Sequence, residues 1–290
     1  MRSRKRGCLG ISLTLVLAVM GTLRWIARPA SPQAWFDDAP AFLVLAHQGG
    51  EGEWPSNTME AFRRSQALGV DGLDLDVHLS QDGVLVLMHD TTVDRTTDGR
   101  GSIRDMSWAQ LQKLDAGYRF TQDGSTFPYR GKGLKVPRLE QVLEAFPGQR
   151  LGIEIKQAPL EAASVMGQLL KNSGAESRVL LSSFDEGMMK EIRRCCPEVA
   201  TSATPWEAKT FVAASRLYLE DWISPAYCSL QIPLQYKGMA LLSERTVEAA
   251  HRRGLKVLPW TIDTPEDAEF CRKVGADGLN TNWPSRMVNP

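Results

Sequence analysis

Residues 72–90 read GLDLDVHLSQDGVLVLMHD, and the first half of this stretch alternates without a break. Leu73, Leu75, Val77 and Leu79 fall on one side, and Asp74, Asp76 and His78 on the other. A side-chain period of two is that of a β-strand, so the ionisable groups share one face while the aliphatics pack against another layer. Carboxylates at i and i+2 repel each other, and burying them unpaired is costly. A divalent cation removes that cost. Asp82-Gly83 then turns the chain into a second apolar run, 84–88, which ends on His89-Asp90. Carboxylates and an imidazole therefore converge within a few residues.

Upstream, the apolar run 42–46 delivers His47 at its end, before Gln48-Gly49-Gly50 break it. Ser56 or Asn57 is placed to cap a helix over 58–68 that Gly69 ends, so residues 42–79 form a βαβ unit. Downstream, 91–137 is rich in Thr, Asp and Gly and belongs to an insertion of about 84–137; long loops in compact domains are usually functional. Beyond it the pattern predicts helices over 138–146, 160–172, 185–195, 206–214, 243–253 and 265–274, each followed by a strand. With the hairpin arm set aside, strands begin near residues 42, 72, 150, 179, 199, 226, 256 and 278. Eight strands alternating with helices over about 250 residues make a (β/α)8 TIM barrel. An open doubly wound sheet would want G-x-G-x-x-G after its first strand, and the chain has none there.

Lys plus Arg and Asp plus Glu each total 34, so no basic footprint for nucleic acid exists. The N-terminus has its own pattern: Arg2, Arg4, Lys5 and Arg6 precede an apolar run from Cys8 to Leu23. That run is shorter than the roughly 20 residues of a full span, but Trp25, Ile26 and Ala27 extend it if Arg24 snorkels. The expectation is an N-terminal apolar helix in 1–27, a linker over 28–41, and the barrel over 42–290. A basic N-terminus held in the cytoplasm would leave the barrel membrane-anchored on the far side, or secreted if the segment is a cleaved signal peptide. The five cysteines match neither a disulfide framework nor a zinc pattern.

Chemistry in a parallel barrel gathers at the C-terminal ends of the strands. His47 ends the first strand, and Asp74 and Asp76 lie toward the end of the second. In RLGIEIK (150–156) the aliphatics point outward, and Gly152, Glu154 and Lys156 point inward. Three carboxylates from two strands thus face one mouth, an all-oxygen set that suits Mg²⁺ or Ca²⁺ rather than zinc. The competing reading is that Lys156 or Arg95 simply neutralises the aspartates. His251 reads as a surface residue or a C-terminal cap at a helix end, and His78 as a supporting residue behind the carboxylates or a bystander.

These residues lie in runs that resemble the glycerophosphodiester phosphodiesterase family: AHQGG (46–50), SNTMEAF (56–62), GLDLDVHLSQDG (72–83), HDTTVDRTTDGRG (89–101), LGIEIK (151–156), SSF (182–184), WTID (260–263), and GADGL followed by TNWP from Gly275. The resemblance implies a TIM barrel with a segment inserted after its second strand. It implies His47 and His89 as catalytic histidines, Asp74, Asp76 and Glu154 as ligands of a divalent cation, Lys156 as a phosphate contact and Trp260 as a pocket aromatic. Three positions depart from the family pattern. Its phosphate-binding arginine is Gln48, the glutamate of its P-E-N-T turn is Ser56, and its first metal glutamate is Asp74. Gln48 replaces a bidentate cation with a neutral donor.

The implied reaction is metal-dependent hydrolysis of a small-molecule or lipid glycerophosphodiester to an alcohol and sn-glycerol 3-phosphate, with the two histidines as acid and base in either order. Alternatives are lysophospholipase D-type cleavage of lysophospholipids at a membrane and a non-catalytic phosphodiester-binding barrel. Metal-independent lyase chemistry would leave the three carboxylates unexplained.

Overall fold

The computed structural model describes residues 27–156 and 158–288. Its strands are β1 (Leu43–His47), β2 (Gly72–Leu79), β3 (Leu85–Leu87), β4 (Arg150–Ile155), β5 (Val179–Ser182), β6 (Ala200–Thr201), β7 (Ser229–Leu230), β8 (Gln235–Tyr236), β9 (Met239–Ala240), β10 (Lys256–Val257) and β11 (Gly278–Thr281). Parallel pairing runs β11-β1-β2-β4-β5-β6, and β3 folds back antiparallel on β2. The circle continues through a parallel bridge between Ser202 and Ser229 and through the β7–β10 pair. It closes where Asp277 N–H donates to Val257 C=O and Asn280 N–H to Pro259 C=O. Eight strands thus form one ring, as the spacing of apolar runs predicts.

The helices between strands are α1 (Met59–Leu68), α2 (Trp108–Leu111), α3 (Leu139–Ala145), α4 (Glu161–Ser173), α5 (Glu186–Cys195), α6 (Pro205–Arg216), α7 (Glu244–Arg252), α8 (Pro265–Lys273) and α9 (Pro284–Val288). Their apolar stripes cover Leu73, Leu75, Val77, Leu151, Ile153 and Ile155 on the outside of the ring. The strand pleat therefore sends Asp74, Asp76, Gly152 and Glu154 inward. Thr58, rather than Ser56 or Asn57, caps α1 by accepting from the Ala61 N–H. Both neighbours are thereby released to the barrel mouth.

The base of the barrel is filled by Leu43, Leu45, Leu180, Ala200, Cys228 and Leu258 around Trp35. Trp35 is 1% exposed, and its indole N–H donates to Leu151 C=O at 3.1 Å. This part of the 28–41 stretch packs against the barrel rather than spanning solvent. The insertion carries its own small core, with Val86, Met88, Val93, Ile103, Leu111, Ala116 and Val136 packed together.

The membrane-anchored placement needs correction. No helix among the described residues is long and apolar enough to cross a membrane. The longest of them, α4, has 13 residues and so spans about 20 Å, against roughly 30 Å of hydrocarbon. The run from Cys8 to Leu23, on which the N-terminal helix and the extracytoplasmic placement rested, lies outside the described residues, and neither reading has structural support.

Candidate active site

The strand register sets the first contacts. His47 pairs with Asp74 across β1 and β2, Asp74 with Gly152, and Asp76 with Glu154 across β2 and β4. Gly152 makes the space for this: a Cβ at that position would stand 2.6 Å from Asp74 Oδ1, and the carboxylate would have to shift. The carboxylate of Asp74 lies over the space that glycine leaves.

Lys156 Nζ sits 3.1 Å from Asp76 Oδ1 and 2.8 Å from Glu154 Oε2, so it bridges two of the three carboxylates. Among the described residues no group of three or more candidate ligands stands at metal-holding distance. The neutralising role of Lys156 is therefore real for Asp76 and Glu154. On Asp74 it acts only through space, as the least of the influences on that carboxyl. Burial first, then Asp76 and Glu154, push the Asp74 carboxyl up to about 7, although His47 and Lys156 pull the other way. Burial likewise raises Glu154 despite Lys156. One ammonium is too little charge for three crowded carboxylates, and a divalent cation is what this donor set fits.

Each histidine has its Nδ1 engaged. His47 Nδ1 lies 2.7 Å from Asn282 Oδ1, and Asn282 Nδ2 donates to Asp263 Oδ2 at 2.9 Å. With its amide committed to Asp263, Asn282 presents an acceptor, so His47 Nδ1 carries the proton and the neutral ring has its lone pair on Nε2. Burial lowers the His47 pKa, but Asp74 and Asp76, with Asn282, outweigh it and hold the pKa above the ordinary histidine value. His89 Nδ1 lies 2.9 Å from Asp90 Oδ1, and Arg95 Nε donates to Asp90 Oδ2 at 2.7 Å. Burial would raise Asp90, yet Arg95 and His89 hold it below the usual carboxylate range. His89 is thus backed by an ionised carboxylate.

The remaining polar groups at the mouth are loop residues. Asn57, in left-handed backbone at φ 56°, donates to Asp76 Oδ2 at 2.9 Å and accepts from the Asp76 N–H at 3.1 Å. Gln48, also left-handed at φ 52° and 2% exposed, accepts from Ser56 Oγ at 2.7 Å. Glu51 lies 3.9 Å from both His47 Nδ1 and Arg95 Nη1, whereas Glu53 is tied to Ser285. His78 is buried and its Nε2 contacts the backbone carbonyl of His89, so it backs the loop that carries His89. His251 pairs with Asp277 beside the end of α7, away from these groups. Trp260 packs edge-on against Phe184 with ring centres 5.8 Å apart.

His47, Asp74, His89, Glu154, Lys156 and Trp260 all line one cavity of about 920 Å³. Sequence reasoning missed Asn57, Asn282 and Asp263, whose signals are weak: an uncharged amide after a turn, and an Asn after the last strand. It also missed the β8–β9 hairpin at the cavity rim. There the signal is legible in Lys237-Gly238, whose φ angles of 48° and 78° match the two positive φ values of a tight hairpin turn.

Comparison with known proteins agrees with this geometry. Residues 47–286 match the family model described as "Glycerophosphoryl diester phosphodiesterase family". The glycerophosphodiester phosphodiesterase of Caldanaerobacter subterraneus subsp. tengcongensis is 33% identical over 259 residues, covering 85% of this chain and 96% of the relative. That of Bacillus subtilis is 29% identical over 290 residues, with 94% of each chain covered. Among solved structures, the glycerophosphoryl diester phosphodiesterase domain of an uncharacterized Mycobacterium tuberculosis protein superposes with a TM-score of 0.77 at 24% identity, covering 86% of this chain and 98% of the other. An Oleispira antarctica phosphodiesterase in complex with the product sn-glycerol-3-phosphate gives 0.69 at 25% identity, covering 84% and 94%. On this match in sequence, fold and order of motifs, the chain belongs to the glycerophosphoryl diester phosphodiesterase family of phosphoric diester hydrolases.

Proposed function

We propose that this enzyme uses His47 and His89 as an acid–base pair to hydrolyse glycerophosphodiesters, releasing an alcohol and sn-glycerol 3-phosphate. The observation that carries the reading is the unlike anchoring of the two imidazoles at one cavity. His47, held by a neutral amide with Nε2 as its free lone pair, is suited to accept a proton from the attacking hydroxyl. His89, whose Nδ1 is held by Asp90, is suited to protonate the leaving alkoxide from its other ring nitrogen. Asn282 and Asp263 fix the tautomer of the first, and Asp90 and Arg95 orient the second.

Asp74, Asp76 and Glu154 would hold Mg²⁺ or Ca²⁺, which supplies charge neutralisation at the phosphoryl oxygens when bound. Lys156 adds a second positive contact to the phosphate, and Gln48 offers a neutral donor where relatives of the pattern carry arginine. Trp260 and Phe184 wall the substrate side. The substrate class follows the named relatives and the product seen in the Oleispira antarctica enzyme.

The test is choline release from glycerophosphocholine in EDTA, then with Mg²⁺ or Ca²⁺ restored, for the wild type and His89→Ala. Metal-restored turnover that falls about 10²–10⁴-fold in the variant is expected. Equal turnover in the variant, or full turnover in EDTA, overturns the assignment of roles.

A further inference from the structure

One inward side chain at the floor of the cavity does not match its neighbours. Asn280 pairs with Leu45 across β1 and β11, and Leu45 belongs with Leu258 to the apolar filling of the barrel base. Leu279 packs into the helical layer outside, so the pleat turns Asn280 inward. Two residues further along the same strands, His47 and Asn282 hydrogen-bond to each other. Asn280 therefore sits one layer beneath that pair, where the apolar filling ends, and it lines the cavity.

Its amide is stranded there. Asn280 is 3% exposed, and its Oδ1 is shielded from solvent with no hydrogen-bond partner among the described residues. Asn282, by contrast, has both ends of its amide engaged, by His47 and Asp263. A buried carbonyl oxygen without a donor is costly, and a leucine beside Leu45 would carry no such cost. The acid–base scheme above makes no use of it. An alcohol hydroxyl fits the vacancy in its bonding. The carboxamide offers one acceptor and two donor hydrogens, and a turn about Cβ–Cγ exchanges its ends. A hydroxyl both donates and accepts, so it satisfies either end. A phosphodiester anion carries acceptors only, and a quaternary ammonium neither donates nor accepts. Ser182 and Gln231 add neutral polar groups to the lining of the same cavity.

We propose that Asn280 is a specificity-determining residue that binds a free hydroxyl of the substrate at the cavity floor. The enzyme thereby selects diesters of polyhydric alcohols over otherwise similar ones that lack the hydroxyl. The proposal rests on the diesterase reading above and deepens it. Either half of the diester can bring such a hydroxyl, the glyceryl group or the headgroup alcohol, and the chemistry at Asn280 is the same.

The experiment measures kcat/KM, with metal present, for the wild type, Asn280→Leu and Asn280→Ala on two pairs of substrates. Glycerophosphocholine against propylphosphocholine removes the glyceryl hydroxyls and is read by choline release. Glycerophosphoglycerol against glycerophosphopropanol removes those of the headgroup and is read by release of glycerol 3-phosphate. In at least one pair the wild type should favour the hydroxylated member about 10–100-fold, and both variants should cut that ratio to about twofold by losing activity on that member. The pair affected assigns the hydroxyl to its half of the substrate. The urea midpoint of Asn280→Leu should equal or exceed that of the wild type, since an unpartnered amide gives way to an apolar side chain of similar size. Unchanged ratios in the folded variants overturn the inference, as does an equal loss on all four substrates. Unchanged ratios with a lowered midpoint overturn it too, by showing the amide to be satisfied by a buried water. Absence of release from every diester by the wild type overturns the diesterase reading and this one with it.

Discussion

Replacing Asp74 by asparagine should stabilise the metal-free protein at alkaline pH, although it removes a proposed metal ligand. The Asp74 carboxyl is pushed up to about 7 from an ordinary 3.8, chiefly by burial and then by Asp76 and Glu154. Each unit is worth about 1.4 kcal/mol, so ionising Asp74 in the fold costs at most about 4 kcal/mol. Asp74 keeps some contact with solvent, and screening reduces this to about 2 kcal/mol. The sign follows from the raised folded pKa. Asp74 contributes its full stability below pH 3.8, and that contribution is lost as pH rises through about 7. Urea unfolding in EDTA should therefore give coincident stabilities for wild type and Asp74→Asn near pH 4, diverging until the variant leads by about 2 kcal/mol at pH 8. Saturating Mg²⁺ or Ca²⁺ should reverse the order at pH 8, because a ligand at a hundredfold its Kd adds about 2.7 kcal/mol to the protein that binds it. Binding below pH 7 should also release protons. Parallel curves for the two proteins in EDTA would refute the charge-crowding argument, and an unreversed order with metal would refute Asp74 as a ligand.

Asn282→Leu removes the acceptor for His47 Nδ1 and should lower kcat about 10–100-fold with little change in KM; Asn282→Asp, which still accepts, should recover part of the loss in steady-state assays. Gln48→Arg puts an unpaired cation into a 2% exposed position and should destabilise by about 3–5 kcal/mol. Combining it with Ser56→Glu should recover most of that, a coupling that a double-mutant cycle of urea midpoints measures directly. Trp35→Ala should cost about 3–5 kcal/mol through the void left at the barrel base, with kcat/KM unchanged in folded protein at low temperature.

The fold was legible because its signal is periodic and local. Two-residue alternation in 72–79 and 150–156 both locates strands and assigns Asp74, Asp76 and Glu154 to the inside, since the pleat permits no other face for them once the leucines and isoleucines are packed. The strands with little alternation, β6, β7 and β10, are only two residues long each. The charged and imidazole members of the site were legible because such groups seldom end apolar runs without a reason. Its amide members were not. Asn282 meets His47 across 235 residues of sequence, and Asn57 reaches Asp76 only because Thr58 takes over the cap of α1. Trp35 was invisible for a related reason: a Pro- and Ala-rich stretch has the composition of a linker whether or not one aromatic in it closes a barrel.

The departures from the family pattern look like three separate weaknesses in the sequence and reduce to two in the structure. Gln48 and Ser56 share one hydrogen bond, so the arginine and the turn glutamate of the pattern have been exchanged together for a neutral pair that still bonds at 2.7 Å. Losing either charged partner alone would strand the other in a buried site; losing both leaves the net charge unchanged. The consequence falls on the phosphate. In the proposed reaction, with no guanidinium at position 48, the phosphate would be met by Lys156 and by the cation that the carboxylates would hold, and Lys156 is already shared between Asp76 and Glu154. Asp74 completes the shift, since its carboxyl sits over Gly152 and its pKa stays raised to about 7 despite the pull of His47 and Lys156. Substrate binding in this chain should therefore depend more steeply on the metal than in relatives that keep the arginine, and the dependence should weaken in Gln48→Arg combined with Ser56→Glu.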